Sequence, residues 1–180
     1  MNLALLAPQW AVLTLIALLS LAALQDAIQL KISNLISGAV LLLAVVTAML
    51  VGPKLSLWEN LLVFAIALTV GTWLFGRGIL GGGDVKLFAV TVLWFDLGGA
   101  ARLLLAVAIA GGLLALVILL LRTIGWSEGI RKRVVVLRAK GGIPYGIAIA
   151  AGAIAAVLSL QQTAAAADPT RNWSNIPGVR

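Results

Sequence analysis

The chain has 180 residues, of which 62% are hydrophobic and 11% charged, with 13 Lys and Arg against 6 Asp and Glu. A mean hydropathy of +1.13 and so thin a charged coat exclude a water-soluble globular domain, which needs about a quarter of its residues charged. With neither Cys nor His, the chain has no disulfide, no thiolate or imidazole metal site and no Ser-His-Asp triad, and no cofactor is expected.

The apolar residues fall in blocks of about 15 to 22, the length of bilayer-spanning helices, without the alternating ten-residue segments of an outer-membrane barrel. This pattern predicts an all-α integral membrane protein, a bundle of six transmembrane helices forming one domain over residues 1–160. The first span, 5–25, lacks a basic flank, and Gln25 and Asp26 follow it where a signal peptide would have small residues, so it reads as a retained helix. Spans at 35–51 and 58–76 come next. The fourth, 84–98, is short, because Asp96 and the Gly98-Gly99 pair break it after Trp94. The fifth covers 101–121 and the sixth 142–160. Trp10, Trp58, Trp73 and Trp94 fall near span ends, where indole rings favour the headgroup level. From 161 to 180 the composition shifts to Ala, Asn and Pro, which predicts a disordered, non-cytoplasmic tail.

Lys and Arg in alternate loops set the orientation. Lys31, Arg77, Lys86, Arg122, Arg131, Lys132, Arg133, Arg138 and Lys140 lie on one side, and Lys54, Arg102, Arg171 and Arg180 on the other. Nine against four predicts the N-terminus outside and loops one, three and five in the cytoplasm. The net charge of +7 is concentrated at Arg131, Lys132, Arg133, Arg138 and Lys140, a juxtamembrane cluster suited to anionic lipid headgroups rather than nucleic acid.

Six carboxylates remain to be weighed. Asp26 closes the first span, where the helix dipole opposes a negative charge. Asp84 follows Gly81-Gly82-Gly83 and would also serve as the N-cap of the fourth helix. Two crossings separate the acids, which places both on one face. Paired carboxylates of this kind suit aspartic-protease chemistry, in which one keeps its proton and polarises a carbonyl while the other takes a proton from water. Glycosidase chemistry also uses paired acids, but this chain has few residues for a sugar subsite. A non-enzymatic membrane subunit of a pilus or secretion apparatus, or a small transporter, stays open at this point. Glu59, Asp96, Glu128 and Asp168 read as interface or loop residues. Gly111-Gly112 and the pair Gly142 and Gly146 read as close-approach points between helices. Four glycines within 77–83 predict a loop that is mobile until substrate brings Asp84 to Asp26.

The run D-A-I-Q-L-K-I-S-N from Asp26 to Asn34, G-G-G-D-V-K-L from Gly81 to Leu87 and G-I-P-Y-G-I-A-I-A from Gly142 to Ala150 together resemble the type IV prepilin peptidases, GxGD-type membrane aspartyl proteases, in their short TadV/CpaA-type branch. The resemblance covers about residues 10 to 160. It implies a membrane aspartic endopeptidase that removes the leader of pilin-like precursors at the cytoplasmic face, with Asp26 and Asp84 as the catalytic pair. Gly81 and Gly83 would give backbone room beside Asp84, Lys86 and Asn34 match motif positions, and Pro144 and Tyr145 would line the cleft. Where this family often has I-P-N, the chain has Ile32-Ser33-Asn34, which leaves the turn after the first acid unassured. Longer members carry a CxxC-bearing insert and methylate the new N-terminus; without Cys or room for that insert, methyl transfer is not expected here.

Overall fold

The computed structural model describes residues 1–52, 56–124, 126 and 142–166. The described residues form helices only: α1 (Leu3–Leu6), α2 (Gln9–Gln29), α3 (Asn34–Val51), α4 (Leu57–Gly76), α5 (Gly82–Val92), α6 (Leu97–Thr123) and α7 (Tyr145–Ala166). Five of them, α2, α3, α4, α6 and α7, are long and apolar enough to cross a bilayer. Their outer faces carry Leu, Ile, Val and Phe in the open, as lipid-facing helices do, and the chain is a multi-pass helical membrane protein.

The fourth expected span is not among these five. In its place stands α5, whose 11 residues reach only about 17 Å against a hydrocarbon core of about 30 Å. It is enclosed by its neighbours: Val85, Leu87, Ala89, Val90, Thr91 and Val92 are all buried. A helix that stops inside the bundle leaves carbonyls that water cannot reach, and these are caught by protein groups. Asn60 in α4, 1% exposed, donates from Nδ2 to the carbonyls of Leu93 (2.8 Å) and Phe95 (2.9 Å), while the Ala4 N–H donates to the carbonyl of Trp94 (2.9 Å). The chain then turns at once into α6, where Asp96 is the N-cap and accepts from the Gly99 N–H (2.7 Å).

Other boundaries shift by a few residues. The first span runs on to Gln29, so Asp26 sits inside its last turn rather than after it; the fifth begins at Leu97; the sixth runs from Tyr145 to Ala166, so 161–166 are helical rather than tail, and 167–180 lie outside the described residues. Trp10, Trp58 and Trp73 are exposed as expected, but Trp94 is fully buried beside α5 and is core rather than a headgroup anchor. Of the expected pair, a Cβ at Gly111 would stand 3.6 Å from Ala148 Cβ of α7, whereas Gly112 meets nothing within 4 Å; the tighter approach between α6 and α7 is at Gly152, where a Cβ would stand 2.7 Å from the Val107 backbone nitrogen. The basic cluster at 131–140, Glu128 and Asp168 lie outside the described residues.

Along the chain the helices alternate in direction. The end of α2 and the starts of α3, α5 and α7 share one end of the bundle. α7 packs along α6 and α2, α5 packs against α3 and α4, and α4 touches α6 only sparsely.

Candidate active site

At that shared end, α2 closes with Leu30 in the left-handed region (φ 52°), its N–H bonded to the Asp26 carbonyl (2.9 Å). The chain then turns through Lys31, Ile32 and Ser33 into α3. The Ser33 hydroxyl accepts from the Leu35 N–H (3.2 Å) as N-cap, and the Ser33 N–H donates to Gln25 Oε1 (2.9 Å). Proline at position 33 would lack that donor. The turn left unassured by the missing proline is therefore fixed by a cap and by Gln25, a residue sequence reasoning passed over although it adjoins Asp26.

Asp26 is 4% exposed, and its Oδ2 accepts from the Gly146 N–H (2.7 Å) in the first turn of α7. First-turn amides have no partner within their own helix, so the acid caps the last helix across 120 positions of sequence. Gly146 has no room for a side chain: a Cβ there would lie 2.9 Å from Asp26 Oδ2 and 2.8 Å from Ile32 Cδ1. Its place is against the acid, a role the small-residue spacing of Gly142 and Gly146 did not reveal.

The glycine-rich run leading to Asp84 is not a free loop. Gly78 (φ 71°) closes α4 in a Schellman motif, with the Gly78 N–H on the Phe75 carbonyl (2.9 Å) and the Ile79 N–H on that of Leu74 (3.0 Å). Gly81 is the N-cap of α5, and Gly82 and Gly83 are its first helical residues. Asp84 is thus the third helical residue rather than the N-cap, and its carboxylate bonds back to the Gly81 backbone, the returning half of a capping box. Gly83 is needed for approach: a Cβ would stand 3.1 Å from Ile32 Cβ and 3.3 Å from the Ile32 nitrogen and carbonyl oxygen, so α5 starts directly against the turn that follows Asp26.

Asp84 Oδ1 is buried with no hydrogen-bond partner among the described residues. Its carboxyl is pushed up to about 6, first by burial and next by the negative charge of Asp26, against the opposing hydrogen bond from Gly81. The two acids are thus close enough to act on each other. No hydrogen bond joins them among the described residues, since Asp26 bonds Gly146 and Asp84 Oδ1 bonds nothing.

Lys86 Nζ donates to Asn34 Oδ1 (3.0 Å), a clip between α5 and α3 that uses both motif residues. Pro144 is buried just before α7, and Tyr145, its first residue, lines an apolar groove of about 500 Å³ with Asp84. That groove runs between α4 and α6 over Val63, Val70, Leu74, Phe88 and Leu104. Among the described residues there is no group of His, Cys, Asp and Glu able to hold a metal.

Two carboxyl groups under mutual influence, one with a raised proton affinity and the other hydrogen-bonded to a backbone amide, can activate water and protonate a carbonyl together. No curated protein and no solved structure matches the chain. The family model described as the type IV leader peptidase family matches residues 13–120, a stretch that holds Asp26, Asn34, Gly81, Gly83, Asp84 and Lys86 and stops short of α7. That match spans more than half of the 180 residues, and the chain belongs to the type IV leader peptidase family.

Proposed function

We propose that this protein is an aspartic endopeptidase of the inner membrane that removes the leader of a pilin-like precursor at the cytoplasmic face, with Asp26 and Asp84 as the catalytic pair. The observation that carries the reading is the meeting of the Asp26 turn with the start of α5, where Gly83 abuts Ile32 and the Asp26 charge acts on Asp84. Family membership supports leader-peptidase chemistry in general; the aspartic mechanism and the precursor substrate are the further steps. Gly81 and Gly83 seat Asp84, and the Lys86 to Asn34 clip holds α5 to α3. Pro144 and Tyr145 open the helix that meets Asp26. A precursor anchored by an apolar helix presents its leader junction at the depth of these acids, and confinement to a plane raises the rate of encounter. Anionic headgroups near Arg131, Lys132, Arg133, Arg138 and Lys140 would hold the same face at the membrane surface.

Co-expression of a candidate precursor with wild type, Asp26→Ala and Asp84→Ala, read by mass spectrometry of the precursor, tests this. Leader removal should occur with the wild type and fall by at least about a thousandfold in either variant, as loss of half of an acid-base pair requires. Undiminished processing by either variant would refute the assignment.

A further inference from the structure

The two acids stand in different settings. Asp26 Oδ2 faces the Gly146 amide at the first turn of a 22-residue helix, which stabilises a negative charge on that carboxyl group through both the hydrogen bond and the helix dipole. Asp84 also accepts one backbone bond, from Gly81 at the start of the 11-residue α5, but its Oδ1 is buried with nothing to bond, and burial outweighs that bond and penalises the charged form. We propose that the start of α7 fixes the division of labour in the pair: the Gly146 N–H is a positioning group that keeps Asp26 ionised as the base, and Asp84 carries the proton on Oδ1 as the acid. This rests on the aspartic reading above and assigns a role to the one backbone group that the last helix contributes.

The surrounding charges do not blur the assignment. Lys31 lies in the turn after α2, Lys86 bonds Asn34, Arg77 stacks on the Trp73 ring at 4.3 Å, and Tyr145 opens α7. Among the described residues, none of these cations forms an ion pair with either acid. The raised proton affinity of Asp84, partly due to the Asp26 charge, is consistent with this order of ionisation.

In the reaction, Asp26 takes a proton from water as the water oxygen bonds to the scissile carbonyl carbon. The carbonyl π pair moves to its oxygen, which takes the proton from Asp84 Oδ1 and gives a gem-diol. On collapse the C–N bond breaks, the leaving nitrogen takes the proton held by Asp26, and one gem-diol hydroxyl returns its proton to Asp84. One water is consumed, and both carboxyl groups end as they began.

Two measurements on the full chain in nanodiscs test the proposal. Infrared spectra of wild type, Asp26→Asn and Asp84→Asn, taken just below the Asp84 pKa of about 6, report the carbonyl stretch of a protonated carboxylic acid without requiring activity. That band should vanish in Asp84→Asn and, in Asp26→Asn, remain but weaken, because the Asp26 charge no longer raises Asp84; a band kept in Asp84→Asn and lost in Asp26→Asn, or no such band in the wild type, overturns the assignment. The second measurement replaces the Gly146 N–H with an ester oxygen by cell-free translation with glycolic acid, which removes the donor and adds no bulk. The acid limb of the kcat/KM profile should move up by about one pH unit, because Asp26 loses the donor that favours its charge. The same ester at Ile147, whose N–H serves only the Pro144 carbonyl (3.2 Å), should leave the limb in place. An unmoved limb at Gly146, or an equal shift at both positions, overturns the proposal. A wild-type chain that cleaves no precursor would sink the proposed function, while the infrared bands would still say where the proton sits.

Discussion

A carboxylate in the first turn of a helix ordinarily gains from the dipole and from the amides it faces. At Asp84 the opposite effect wins, because burial and the Asp26 charge outweigh the Gly81 hydrogen bond and lift the pKa from 3.8 to about 6. The native state therefore binds more protons than the unfolded chain between these values. The contribution of Asp84 to stability is greatest below 3.8, falls as pH rises to about 6 and stays lowered above it. Asp84→Asn removes the charge and keeps the shape. It should raise the melting temperature in detergent at neutral pH, by an amount corresponding to at most about 3 kcal/mol, and leave it unchanged below pH 3.8. Equal melting of variant and wild type at neutral pH would show that the carboxylate is not strained there. Gly83 gives a second residue-scale outcome, because the backbone room expected beside Asp84 is room against Ile32. With Ile32 Cβ and backbone only 3.1 to 3.3 Å from any added Cβ, valine should lower the yield of folded protein together with cleavage. A normally folded, fully active Gly83→Val protein would contradict the packing of α5 on the Asp26 turn.

At the scale of elements, the spans with uninterrupted apolar text were legible to within a few residues, because bilayer thickness fixes helix length wherever lipid is the solvent. The misreadings gather where protein replaces lipid. α5 is short because α3, α4 and α7 enclose it, and no hydropathy count reveals that Asn60, far away in sequence, waits to receive the carbonyls at its end. Asp84 stood out by its glycines and Asp26 by its place at the end of the first span, and the parity of crossings put both on one face. The partners that set their charge, the Gly146 amide and the orphaned Asp84 oxygen, were not, since backbone groups carry no signature in the text. Asn60→Leu tests the element-scale account: it leaves the buried Leu93 and Phe95 carbonyls without Nδ2, at about 1–3 kcal/mol each. The variant should show a marked fall in melting temperature, and Asn60→Gln, which keeps an amide, should recover part of it. An Asn60→Leu protein as stable as wild type would mean that other groups satisfy this turn.

For the molecule as a whole, the proposed function requires one end of the bundle to gather the close of α2 and the starts of α3, α5 and α7, and that end to face the cytoplasm. The first condition follows from the helices' alternating direction, with the short α5 and the turn after it leading the chain back into α6. The second is the expectation from nine Lys and Arg against four, because cations resist transfer across an energised membrane. The chain contains no Cys, so single introduced cysteines report without background. Lys31 and Arg77 are exposed at the acid-bearing end and Trp58 is exposed at the other. Lys31→Cys and Arg77→Cys should react with a membrane-impermeant maleimide in inverted vesicles and be protected in intact cells, and Trp58→Cys should show the reverse. Labelling of Lys31→Cys and Arg77→Cys from opposite faces would break the shared site itself. Labelling of both from outside would keep the site but turn it away from the cytoplasm, because the loops that flank the two acids and the acids themselves lie at one end of the same bundle.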